Sequence, residues 1–136
     1  MPISMVTTVD FLNQLNPSQR QSVEHFTGPL LVVAGAGSGK TRALTYRIAN
    51  LILNHNVDPE KILAVTFSNN AAREMKERVH KILGKDLTRG LTVSTFHSLG
   101  LDIIRREIKT LGYKPGFTLF DDQDTLALLK ELTIEV

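Results

Sequence analysis

Three short apolar stretches, Leu30 to Ala34, Ile62 to Phe67 and Leu91 to Thr95, stand out along an otherwise mixed chain. A strand with one wet face alternates apolar and polar residues, whereas a strand covered on both faces does not, so these three predict buried strands. A helical period follows each of them. Leu44, Ile48, Leu51 and Ile52 follow the first, Ala72, Met75, Val79 and Ile82 the second, and Leu101, Ile104, Ile108 and Leu111 the third, each set forming one apolar stripe. Gly84 and Gly112 stand where the second and third helices should stop, and Asp58-Pro59 marks a turn before the second strand. Strand and helix in alternation predict an α/β fold: a parallel sheet with right-handed crossovers and helices on its faces.

The flanks are plainer. Asn16-Pro17 predicts an N-cap with proline at the first helical position, opening a short helix that carries Val23 and Phe26. Residues 1–14 give no clear signal. Beyond Gly112 the chain turns at Pro115-Gly116, and Asp122 or Asp124 is placed to cap a last helix bearing Leu126, Leu129 and Leu132.

Composition narrows the class. With 136 residues, 42% hydrophobic and 22% charged, the chain is long enough for a real core and is not a disordered polymer. No apolar run approaches the roughly 18 residues of a membrane span, and Met-Pro-Ile-Ser-Met is no export signal. The absence of cysteine excludes disulfides, thiolate zinc sites and a cysteine nucleophile, and fits a cytoplasmic location. The four histidines show no metal spacing. A net charge of +2 hides an asymmetry: residues 40–114 carry 14 basic and 7 acidic side chains, residues 115–136 one basic and five acidic. The basic middle either faces a polyanion or is a set of solvated helix faces.

The strongest chemical signal is Gly35-Ala36-Gly37-Ser38-Gly39-Lys40-Thr41, between a predicted strand and an amphipathic helix. Glycines let successive N–H groups curl inward toward phosphate oxygens, and the helix start adds its positive dipole end. In such a loop Lys40 reaches the β and γ phosphates and Thr41 offers its hydroxyl to Mg²⁺. The strict pattern has glycine where this chain has Ala34.

In an open α/β sheet ligands gather outside the carboxyl ends of the strands. The second strand runs into Thr66-Phe67-Ser68-Asn69-Asn70 and the third into Thr95-Phe96-His97-Ser98. Each loop combines hydroxyl or amide groups with one aromatic, a pairing suited to single-stranded nucleic acid: polar groups for phosphates, a ring for stacking on a base. Alternatively Phe67 and Phe96 are core residues at strand ends, and Ser68 or Asn70 is a plain helix cap.

From Leu15 onward these segments resemble the helicase superfamily 1 proteins of the UvrD/Rep type. Leu15-Asn16-Pro17-Ser18-Gln19 is similar to that family's Q motif, in which the glutamine recognises adenine; the alternative for Gln19 is the N3 position of a capping box with Asn16. Ala34 to Thr41 resembles motif I, where alanine at the first position is common. Thr66 to Met75 with Arg78 resembles motif Ia, and Ser94 to Ser98 the next DNA-contacting motif, although Asn70 stands where the family more often has lysine. Ser94 to Glu107 and Phe120 to Thr133 look closest to the Rep subgroup. The resemblance assigns ATP to Gln19 and to Ala36, Gly37, Ser38, Gly39, Lys40, Thr41 and Arg42, with Lys40 and Thr41 catalytic and Thr41 on Mg²⁺. It assigns DNA to Thr66, Phe67, Asn69, Thr95, Phe96 and His97.

The implied architecture is a RecA-like P-loop NTPase motor domain, 1A, over residues 15–114, an N-terminal extension over 1–14, and the start of a helical subdomain, 1B, over 115–136. The implied activity is that of an ATP-dependent 3′ to 5′ DNA helicase, coupling ATP hydrolysis to translocation on single-stranded DNA and unwinding at duplex junctions, in replication or repair. Hydrolysis also needs an acid for Mg²⁺ and water and an arginine for the γ phosphate. The family's acidic and arginine motifs would lie beyond Val136, which makes this the N-terminal piece of a longer helicase. Phe117 to Asp122 imitates an apolar strand ending in paired carboxylates, a Walker B pattern. Against it, Thr118 breaks the apolar run, the following Gln123-Asp124-Thr125 reads as a helix cap, and the resemblance puts this stretch at the entrance to subdomain 1B. A stand-alone nucleotide-binding module without helicase activity and a small-molecule P-loop kinase are the rival functions.

Overall fold

The computed structural model describes residues 11–134. Contacts divide the chain into two units, Met1–Ser98 and Leu99–Val136.

The first unit runs through a 3-10 helix (Leu12–Gln14), α1 (Pro17–Glu24), α2 (Lys40–Leu53), a second 3-10 helix (Pro59–Lys61), β1 (Leu63–Thr66), α3 (Asn69–Leu83), a third 3-10 helix (Asp86–Thr88), β2 (Thr92–Thr95) and the start of α4 (Phe96–Glu107). Strands β1 and β2 are parallel neighbours, with Leu63 opposite Thr92 and Thr66 opposite Thr95. A hairpin cannot join parallel neighbours, and α3 is the crossover that does. This is the expected α/β arrangement with two strands, not three, among the described residues.

The missing member is Leu30 to Ala34, which forms no strand. Leu31 is 87% and Val33 90% exposed, the opposite of the predicted burial. A parallel strand persists through paired edges and covered faces. Neither β1 nor β2 pairs with this run, so its apolar side chains lack the cover that their pattern calls for.

The apolar periods of α2 and α3 find their partners, whereas the third predicted stripe largely does not. Helix α4 buries none of its residues, Ile104 and Leu111 are exposed, and so are Leu126, Leu129 and Leu132 of the last predicted helix. Met75, Val79 and Leu83 of α3 and Ile48, Ala49 and Ile52 of α2 share one core with Val23 of α1, with Ala64 of β1 and with Ile62 and Leu91 just before the strands. The α2 face is rotated from the predicted stripe. Leu44 is exposed, while Thr45 and Asn50 are buried. Both polar residues have partners: Thr45 Oγ1 donates to the Thr41 carbonyl at 2.7 Å and Asn50 Nδ2 to the Val23 carbonyl at 3.1 Å, which removes the cost of burying them. Helix α1 opens as predicted, with Asn16 as cap and Pro17 first, but it stops at Glu24. Phe26 therefore lies outside it, stacked on His55 with centroids 4.1 Å apart. Phe11 and Leu12, from a segment with no sequence signal, are buried in the same core. Residues 1–10 lie outside the described residues.

In the second unit α4 ends at Glu107, short of Gly112, and the chain leaves through turns in which Gly112 takes φ +79°. Helix α5 (Asp122–Ile134) follows. Its cap is Asp121, whose Oδ1 accepts from the backbone N–H of Gln123 and of Asp124, both at 2.8 Å, while Asp124 Oδ2 accepts from the Asp121 N–H. The cap is thus one residue before Asp122 and three before Asp124, the two predicted positions, and the paired carboxylates Asp121 and Asp122 stand at a helix start. The division by contacts falls within α4, after Ser98. The first turn of α4 is tied to β2 through Thr95 Oγ1, which accepts from the Ser98 N–H at 3.1 Å. Among the described residues no helix is long and apolar enough to cross a membrane.

Candidate nucleotide site and nucleic-acid interface

The loop predicted to bind phosphate is closed by its own hydrogen bonds. Ser38 Oγ donates to the Gly35 carbonyl at 2.7 Å, and Lys40 Nζ folds back to donate to the carbonyls of Ala34 at 3.1 Å and Gly35 at 2.7 Å. Gly37 and Gly39 take φ of +73° and +82°, a region that side chains with a Cβ adopt at a cost. Gly39 has a second constraint, since a Cβ there would lie 2.6 Å from Gln19 Nε2. Helix α2 begins immediately after it, directing its first free N–H groups at the loop.

Gln19 uses both ends of its amide. Its Oε1 accepts from the Asn16 N–H at 3.2 Å while its own N–H donates to Asn16 Oδ1 at 2.8 Å, a complete capping box. Its Nε2 donates to the Ser38 carbonyl at 2.8 Å, tying α1 to the phosphate loop across 19 residues. No sequence pattern signals that third contact. The amide keeps one N–H and one lone pair for a ligand.

A cleft of about 590 Å³ lies beside the loop and is lined by Gln19, Ser38, Gly39 and Lys40 on its polar side and by Leu30, Val32 and Leu44 on its apolar side. That volume suits a small-molecule ligand. Thr41 and Arg42 lie outside this lining, exposed on the first turn of α2. Arg42 Nη2 donates to Gln14 Oε1 at 2.9 Å. Among the described residues no group of three or more acidic, histidine or cysteine side chains is placed to hold a metal. The exposed hydroxyl of Thr41, on the first turn of α2, is of the kind that would fit a Mg²⁺ ion arriving with a nucleotide and keeping water and phosphate oxygens as its other ligands.

The second cluster follows from strand register. Because Thr66 is opposite Thr95, the short loop leaving β1 and the first turn of α4, which follows β2 directly, emerge side by side, about one strand spacing of 4.8 Å apart. Phe67 is 89% and Phe96 62% exposed, so neither is packed in the core formed by the described residues. Asn69 and His97 are exposed as well. Ser68 is the cap of α3, accepting from the Ala71 N–H at 3.2 Å, and Thr66 Oγ1 donates to the Ser68 carbonyl at 3.0 Å. Thr95 is buried and its hydroxyl caps α4, so it shapes the loop more than it faces solvent. Arg73, one turn into α3, donates to Asn70 Oδ1 at 3.3 Å and brings a cation next to the position where the motif Ia resemblance expects a lysine. Arg78 is paired with Glu74.

The family description UvrD/REP helicase N-terminal domain matches residues 15–135, and the chain belongs to that family. It is 62% identical over 120 residues to the ATP-dependent DNA helicase Rep of Escherichia coli (strain K12), covering 88% of this chain and 18% of that protein. It is 49% identical over 124 residues to the ATP-dependent DNA helicase PcrA of Bacillus subtilis (strain 168), covering 91% of this chain and 17% of that protein. The chain thus spans less than a fifth of the length of these relatives.

Proposed function

We propose that this chain is the ATP-binding N-terminal part of an ATP-dependent 3′ to 5′ DNA helicase that translocates on single-stranded DNA, unwinds duplex at junctions and works in the cytoplasm. Residues 15–114 contribute to a RecA-like motor domain 1A, and residues 115–136 begin subdomain 1B. The cleft beside the phosphate loop takes ATP, with Lys40 on its phosphates, Thr41 on the accompanying Mg²⁺ and Gln19 on adenine. The observation that carries this reading over a stand-alone nucleotide-binding module, or a small-molecule kinase, is the exposed pair Phe67 and Phe96 at adjacent strand ends. Neither rival needs two solvent-facing rings there, whereas single-stranded DNA stacks on such rings.

Hydrolysis belongs to the longer protein, because Asp121 is spent as a helix cap and a γ-phosphate arginine alone is worth roughly 10³ to 10⁵ in rate. The 136-residue chain should therefore show no ATPase above background, with or without single-stranded DNA, while a longer protein containing it shows DNA-stimulated turnover. Stimulated turnover by the short chain alone would return Asp121 and Asp122 to a catalytic role. A longer protein that binds ATP but ignores DNA would favour the stand-alone module.

Gln19→Ala should weaken ATP more than inorganic triphosphate, measured by titration calorimetry. Both ligands feel the lost tether to Ser38, but only ATP feels a lost adenine contact. Equal losses would confine Gln19 to tethering the loop and capping α1.

A further inference from the structure

Arg42, the residue after Thr41, is held by side chains that no phosphate-loop pattern includes. Gln14 Oε1 accepts two hydrogen bonds, from Arg42 Nη2 at 2.9 Å and from the Tyr46 hydroxyl at 3.0 Å. The guanidinium carbon of Arg42 sits 5.4 Å from the Tyr46 ring centroid, within cation–π range. Tyr46 in turn meets the ring of Phe11 edge-on, with centroids 5.4 Å apart at 74°. Phe11 and Leu12 are buried, at 4% and 9% exposure, and fix the segment that carries Gln14. Residues 11–14 precede the family match, which begins at residue 15.

We propose that the segment Phe11–Gln14 is an anchor that presets Arg42 for bound nucleotide, with Gln14 as a positioning residue. The proposal rests on the reading of the phosphate loop as an ATP site. A guanidinium has five N–H donors in a rigid fork, and one bond to Gln14 leaves the others free for a ligand. An exposed arginine otherwise surrenders rotamer freedom when it binds, and prior fixation reduces that loss. Gln14 is also neutral, so it holds the cation without cancelling the charge that phosphates would meet.

The test is ATP titration of the 136-residue chain in wild type, Gln14→Met, Arg42→Ala and the double variant, with melting temperature followed in parallel. Methionine keeps the bulk of glutamine and removes the acceptor. Gln14→Met should weaken ATP about 3- to 10-fold, with little change in melting temperature. In the Arg42→Ala background the same substitution should have no further effect, which a merely structural role for Gln14 does not produce. An unchanged affinity, a tighter one, or an equal loss with and without Arg42 would overturn the proposal while leaving the ATP site standing. Lys40→Ala separates the two levels: if wild type binds no ATP, or binds it equally well without Lys40, the ATP reading falls and the anchor proposal falls with it.

Discussion

Replacing Lys40 with alanine is expected to abolish measurable ATP binding and leave the fold intact. The side chain is exposed and belongs to no core cluster, so its removal creates no cavity. Its ammonium bonds the carbonyls of Ala34 and Gly35, and both belong to exposed or half-buried loop residues that water can reach. Those bonds join a cation to neutral acceptors. A triphosphate offers charged oxygens, and bonds in which both partners are ionised are the stronger kind, so the ligand should draw Nζ away from the loop. Bonds to charged groups are worth about 1.5 to 3 kcal/mol each, and two of them lost correspond to an affinity drop of about 100-fold or more. Calorimetric titration with Mg-ATP, beside circular dichroism of the variant, measures both halves of the expectation. Unaltered affinity would remove the loop from nucleotide binding.

How far such features could be read from sequence depends on whether their partners are local. The cap of α1 lies within four consecutive residues, Asn16 to Gln19, and both of its reciprocal bonds form. The stripe on α3 needed only its own period and a neighbouring sheet, and Met75 and Val79 are buried. Leu30 to Ala34 shows the limit. Apolar pattern states that a segment wants cover but not what supplies it, and here the sheet of β1 and β2 does not. Contacts that join distant residues left no trace either: Gln19 to Ser38, and Gln14 to Arg42 and Tyr46, are single hydrogen bonds between ordinary polar residues. Phe11 and Leu12 were missed because two adjacent apolar residues establish no period, yet both are in the core. Asp121 and Asp122 resembled a catalytic pair for the converse reason, since a cap and a metal-binding carboxylate are the same chemical group until the backbone N–H groups around them are placed.

Alanine at Phe67 is expected to weaken single-stranded DNA binding by about 1 to 3 kcal/mol, the scale of one base stacked on an aromatic ring, with ATP affinity scarcely changed. The ring is 89% exposed, so truncation removes little buried apolar surface and should leave the melting temperature near that of wild type. Register adds a further expectation. Since Thr66 and Thr95 are opposite one another, Phe96 offers a second ring beside the first, and alanine there should weaken DNA in the same way. The measurement belongs in the longer protein that carries this chain, where the whole DNA path is present. Salt provides the control, because a stacking residue releases no counterions and the variant should keep the wild-type slope of log affinity against log salt. Arg73→Ala is the contrast: if that cation meets a phosphate next to Asn70, its loss should flatten the slope by about one unit. A Phe67→Ala protein with a lowered melting temperature and unchanged DNA affinity would take the ring out of the DNA path and make it a packing residue of the longer protein.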